Sequence, residues 1–223
     1  MAHSSNKEYY EHLAAAVLEQ YYSEKYRELI PQDKPDLRAD ETLGIEVTQA
    51  MGNNGGKEFG LFRIVRGLKM SSIPERQLAA FERYGCELIG FGEDRVVEGF
   101  IPSEASLSVD HVEKCFCNKL EKMKNYPEQM TVDLFVFAAF LECKGAEELQ
   151  KLCAWCSNKQ KANAKRIRYL YIFDYDQICR MNLDQQTISI QGLDKNEISN
   201  LCERVYTQLA ESEEHLEKGR THD

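Results

Sequence analysis

The sequence predicts an α/β fold of three layers, with helices on both faces of a mixed central sheet. Three observations carry that prediction. Residues 131–141 (TVDLFVFAAFL) and 167–174 (IRYLYIFD) are almost continuously apolar, as strands buried on both faces are. Residues 43–48 (LGIEVT) alternate and include β-branched side chains, the pattern of a further strand. Helical periodicity fills the intervals between these strands, so right-handed crossovers make the three largely parallel.

Each element follows from local chemistry. Residues 6–29 place apolar side chains at 10, 13, 14, 17, 18 and 21, one face of a long amphipathic helix that Pro31 and Pro35 terminate. The polar run at 38–42 (RADET) reads as a hairpin turn between a short strand around Asp36 and the strand at 43–48. Residues 52–103 interrupt the alternation and read as an insertion. It comprises a flexible Gly52–Gly56 loop, helices over 57–70 and 74–84, and a hairpin over 86–101 turning at Gly92, Glu93 and Asp94. Ser108 or Asp110 caps a helix reaching about Met123. A helix over 145–163, a weaker strand over 176–182 and a helix over 194–213 with a charged tail complete the chain. The whole, 1–223, is read as one domain carrying an insertion at about 52–103.

Composition removes several classes. With 43% apolar and 29% charged residues, and only 5 Pro and 13 Gly, the chain is neither collagen-like nor wholly disordered. Lys and Arg number 28 against 37 Asp and Glu, a formal charge of -9, so any nucleic-acid contact must be a local basic patch. No apolar run approaches the roughly 18 residues needed to span a bilayer. The first residues lack the basic-then-apolar pattern of a secretory signal, and a cytoplasmic location without a membrane partner is expected.

The chemistry is concentrated around two acids. A hairpin with a turn of about five residues brings Asp36 beside Glu46. Alternation puts Glu46 and Thr48 on one face of their strand and Ile45 and Val47 on the other. An unpaired ionised carboxylate in such a strand is costly, so Glu46 must be paired or metal-bound. Two carboxylates at a strand edge form a hard oxygen site suited to Mg²⁺, an ion that activates water and neutralises charge on a phosphodiester. The plainer alternatives are Asp36 as a turn residue after Pro35 and Glu46 in a structural ion pair.

A helix with an acidic residue, then Pro35-Asp36, then Gly44-Ile45-Glu46-Val47-Thr48, resembles the PD-(D/E)XK nuclease superfamily of restriction-endonuclease-like folds. The resemblance covers roughly residues 8–50 and 110–180. It implies that Asp36 and Glu46 hold Mg²⁺ or Mn²⁺, and that a lysine two residues after the Glu positions or polarises the attacking water. That position is Thr48, whose hydroxyl carries no charge and cannot do what an ammonium does beside a phosphate. Some members of the superfamily move this lysine onto the following core helix. The matching helix here offers Lys119 and Lys122, neighbours on one face, and both are candidates. The first helix often adds a further acid. Glu11, which shares a face with Ala14 and Leu18, is the candidate. The superfamily's core has three consecutive antiparallel strands, of which the sequence shows two before the insertion.

Other features are weighed against this centre. Residues 151–168 carry Lys151, Lys159, Lys161, Lys165, Arg166 and Arg168 without an acid, and the last five are candidate nucleic-acid contacts; the alternative is a solubilising surface. A smaller cluster is Arg63, Arg66 and Lys69. Cys115 and Cys117 with Cys153 and Cys156 have spacings compatible with zinc, although cysteines among apolar neighbours, Cys143 and Cys179 included, behave as small hydrophobes. The five His form no constellation, and Gly52–Gly56 lacks the lysine-serine ending of a phosphate loop. The expected activity is Mg²⁺-dependent phosphodiester hydrolysis, on DNA rather than RNA by family analogy. The alternatives are an inactive nuclease-like fold acting as a binding or regulatory module, and a zinc-stabilised interaction domain. The insertion offers a surface for a homodimer.

Overall fold

The computed structural model describes residues 6–220 apart from 53, 94, 105, 140, 143 and 144. Asp94 of the expected hairpin turn and Cys143 lie outside the described residues, as do His3 and His222. Helix α1 (Asn6–Tyr21) is followed by three short antiparallel strands, β1 (Ile30–Pro31), β2 (Leu37–Arg38) and β3 (Leu43–Gln49). Helices α2 (Gly55–Val65) and α3 (Glu75–Tyr84) and the hairpin β4 (Glu87–Phe91) and β5 (Val96–Ile101) occupy the insertion. Then come α4 (Val109–Met123), β6 (Thr131–Phe137), α5 (Ala146–Lys159), β7 (Ile167–Phe173), β8 (Gln177–Asn182), β9 (Thr187–Gly192) and α6 (Lys195–Arg220).

Seven strands form one mixed sheet in the order β1-β2-β3-β6-β7-β8-β9. The central trio β3, β6 and β7 is parallel, as the helical crossovers require, and the flanking pairs are antiparallel. Leu13, Val17 and Leu18 of α1, with Ile198, Leu201 and Val205 of α6, bury Ile45, Val47, Phe135 and Phe173 on one face. Val112, Phe116 and Leu120 of α4, with Leu149 and Leu152 of α5, bury Val132, Leu134, Val136 and Leu170 on the other. Strand alternation therefore serves two cores, which is why the central strands read as continuous apolar runs. The insertion has its own small core of Phe62, Val65, Ile73, Phe81, Leu88 and Val97. No helix among the described residues is long and apolar enough to cross a membrane.

Three differences from the sequence reading matter for the site. Helix α1 stops at Tyr21 rather than 29. Beyond it, Glu28 takes φ 52° and the Leu29 N–H donates to the Glu19 carboxylate at 2.6 Å, turning the chain back along the sheet. The segment thus released supplies β1, whose two residues pair with β2 and complete three consecutive antiparallel strands before the insertion. On the far side, β9 adds an edge strand that the sequence reading left out.

Candidate functional site

The packing of Pro35 on Gly44 sets the first acid. A Cβ on Gly44 would lie 2.1 Å from Pro35 Cγ, so only glycine lets β2 approach β3 this closely. Asp36 then accepts the Val47 backbone N–H through Oδ2 at 2.9 Å, and the register Leu37↔Ile45 sets it beside Glu46. Glu46 projects from the opposite face of β3 to Ile45 and Val47, toward α4, as the alternation predicts. Asp36 and Glu46 are 5% and 2% exposed, so each needs a counter-charge.

Helix α4 delivers it. Lys119, itself buried, places Nζ 2.7 Å from Asp36 Oδ2 and 2.5 Å from Glu46 Oε2, one ammonium bridging both carboxylates. Phe116, Leu120 and Met123 bury the neighbouring positions of α4 and fix this rotation. Lys122 stays exposed and lines the adjoining cleft. Just beyond α4, Tyr126 donates its hydroxyl to the other Glu46 oxygen, Oε1. From α1, Lys7 Nζ lies 3.2 Å from Asp36 Oδ1 and 2.9 Å from Glu11 Oε1, and Glu11 is buried.

Three carboxylates thus meet two ammonium groups, leaving one negative charge in excess. They line a cleft of about 660 Å³ whose wall includes Thr48, Gln49, Lys34, Lys122 and Tyr126. Burial pushes the Asp36 carboxyl up, but the Lys119 ammonium and the Val47 N–H outweigh it and hold the group below its ordinary range. Burial pushes Glu11 up, only partly offset by Lys7. The hydrogen bond to Glu11 raises Lys7, and burial followed by the hydrogen bond to Glu46 raises Tyr126.

Of the residues singled out in the sequence, the structure brings together Asp36, Glu46, Lys119 and Glu11, with Lys122 on the rim. Lys7 and Tyr126 were not foreseen, though each had a signal: Lys7 stands four residues before Glu11, and Tyr126 two helical turns after Lys119.

The basic segment is partly committed elsewhere. Lys165 donates to the Pro127, Glu128 and Met130 carbonyls and Arg166 to that of Lys161. Arg168 Nη2 pairs with the buried Asp133 at 3.1 Å. Lys159 lies 5.8 Å from the Trp155 ring centroid, and with Lys161 it is exposed.

Cys153 and Cys156 are fully buried in the α4–α5 core, and burial raises both thiols, which opposes the thiolate form that zinc needs. Cys115 donates Sγ–H to the Gln49 carbonyl. Among the described residues no group of three His, Cys, Asp or Glu side chains is placed to hold a metal ion. Comparison of the chain with family models, with curated proteins and with solved structures gives no match.

Proposed function

We propose that this chain is a metal-dependent phosphodiesterase of PD-(D/E)XK type, acting on nucleic acid and, by family analogy, on DNA. The observation that carries the reading is the single Lys119 ammonium in contact with both Asp36 and Glu46 at one wall of an open cleft. The order helix, three consecutive antiparallel strands, helix supports it, because three such strands and a following core helix are what the resemblance implies once the insertion is set aside.

The residues fit a divalent cation. Asp36 and Glu46 offer hard oxygens that already converge on one cation, Lys119, and with Glu11 the three carboxylates outnumber the two ammonium groups they contact. Glu11 adds a third carboxylate, linked to Asp36 through Lys7. Asp36 and Glu46 would hold the ion, with Glu11 behind them, and when bound it supplies an activated water and charge neutralisation at the phosphate. The chain's own groups do the rest. Lys119, released from its bridging role, donates to a phosphoryl oxygen as negative charge develops there. It thereby takes the part that Thr48 cannot. Tyr126 fixes the Glu46 carboxylate, and the Val47 N–H fixes that of Asp36. Lys34 and Lys122 on the rim meet flanking phosphates.

One observation favours a second reading. Lys119 bridges both carboxylates, with Lys7 and the Val47 N–H on Asp36 and Tyr126 on Glu46, which suits a retired site kept as a binding or regulatory module. Incubation with Mg²⁺ or Mn²⁺ and a mixture of single- and double-stranded DNA and RNA separates the two. Cleavage by the native chain and its loss in Asp36→Ala and Glu46→Ala support the enzyme. Equal cleavage by all three identifies a contaminant, and no cleavage by any supports the module.

A further inference from the structure

On the sheet face opposite Glu46 lies a second polar cluster that the cleft does not use. Asp133, in the apolar run of β6, is completely buried. Its carboxylate accepts from Lys25 Nζ at 2.8 Å, the Tyr26 hydroxyl at 2.7 Å, Arg168 Nη2 at 3.1 Å and the Tyr169 N–H at 3.0 Å. These donors satisfy Asp133, but the cations exceed it in charge. Around the Tyr169 ring centroid stand Lys25 Nζ at 3.6 Å, Arg168 Cζ at 5.2 Å and Arg180 Cζ at 5.8 Å. Three positive groups thus stand around one ring, and two of them share one carboxylate.

Arg180 is the odd member. It projects from β8 against Tyr22, 5.1 Å from that ring's centroid, and among the described residues it makes no ion pair and no side-chain hydrogen bond. The residue as a whole is half-buried. Arg168 turns only Nε and Nη2 toward Asp133, and its side chain remains 35% exposed, which leaves the rest of its fork facing outward. Burial first, then Arg168 and Arg180, draw the Lys25 ammonium down to about 8 against the pull of Asp133. Unlike-charge compensation is therefore incomplete here, and an anion lowers the energy of all three cations together.

We propose that Lys25, Arg168 and Arg180 form a binding site for a phosphate group, seated over Tyr22 and Tyr169 and separate from the Asp36–Glu46 cleft. Two surplus charges match a phosphate better than a single carboxylate. Two guanidinium forks present paired N–H donors that suit its oxygens. The phosphate is that of a small molecule or of a nucleic-acid strand, chemically the same group at this site. The inference does not depend on catalysis in the cleft.

The test uses the full chain and three probes in calorimetric titrations at fixed chloride: inorganic phosphate, and a single-stranded oligonucleotide with either a 5′-phosphate or a 5′-hydroxyl. The variants are Arg180→Gln and Arg180→Lys. Saturable binding to the native chain is expected, weakened at least about tenfold for inorganic phosphate in Arg180→Gln and less in Arg180→Lys. Because Arg180 holds no carboxylate, both of its variants should melt with the native protein. Binding of inorganic phosphate supports a small-molecule source, and binding of oligonucleotides alone supports a strand. The proposal is overturned if no probe saturates, or if both Arg180 variants bind as tightly as the native chain.

Discussion

Replacing Lys119 by methionine keeps the length of the side chain and removes the charge that joins Asp36 to Glu46. Removing one partner of a buried ion pair costs about 3–5 kcal/mol, chiefly from the stranded opposite charge. Here the lower end applies, because Lys7 still reaches Asp36 and Tyr126 still donates to Glu46. A loss of about 3 kcal/mol in a chain of 223 residues lowers the melting temperature by about 6–12 °C. The same substitution leaves two converging carboxylates free for a divalent ion. Mn²⁺ at about a hundred times its dissociation constant then returns about 2.7 kcal/mol and most of the lost melting temperature. Calorimetric melts of both proteins at neutral pH, with and without Mn²⁺, measure this directly. The reasoning is refuted if Lys119→Met melts with the native protein, or if Mn²⁺ stabilises neither.

Four further outcomes follow from the same geometry. Gly44→Ala forces its Cβ into Pro35 and should cost about 1–3 kcal/mol in urea unfolding, with weakened Mn²⁺ binding because Asp36 is displaced. Tyr126→Phe strips a donor from Glu46 Oε1 and should cost about 1–2 kcal/mol in urea unfolding. Asp36 is held below its ordinary range, so its contribution is present above the unfolded value and lost as pH falls through the folded one. Asp36→Asn should therefore flatten the acid limb of stability against pH. Lys25 is shifted the opposite way to a stabilising lysine, from 10.5 down to about 8, so the unfolded chain binds its proton more tightly. Native stability relative to Lys25→Met should then rise as pH climbs between those values, by up to about 3 kcal/mol.

The acids were legible in the sequence because their placement is local. A proline-aspartate, a short polar turn and a glycine in the answering strand determine a hairpin, and a hairpin determines which side chains stand abreast. The choice between Lys119 and Lys122 was not legible. Both lie on one helix face, and the rotation of α4 is set by how Phe116, Leu120 and Met123 pack against the sheet. β1 escaped notice because two residues, one of them proline, carry no periodicity. β9 escaped because it is an edge strand exposed along most of its length. The basic run at 159–168 showed its charge in the sequence but not its partners. The signal for one of them was present all the same, since Asp133 sits in an otherwise apolar strand and had to find a cation.

Titration of Mn²⁺ into the native chain, beside Glu46→Ala, bears most directly on whether Asp36 and Glu46 form a cation site rather than a closed ion-pair network. The account predicts a saturable heat of binding in the native protein that disappears in the variant while its fold persists by circular dichroism. Indistinguishable traces from the two proteins would contradict it.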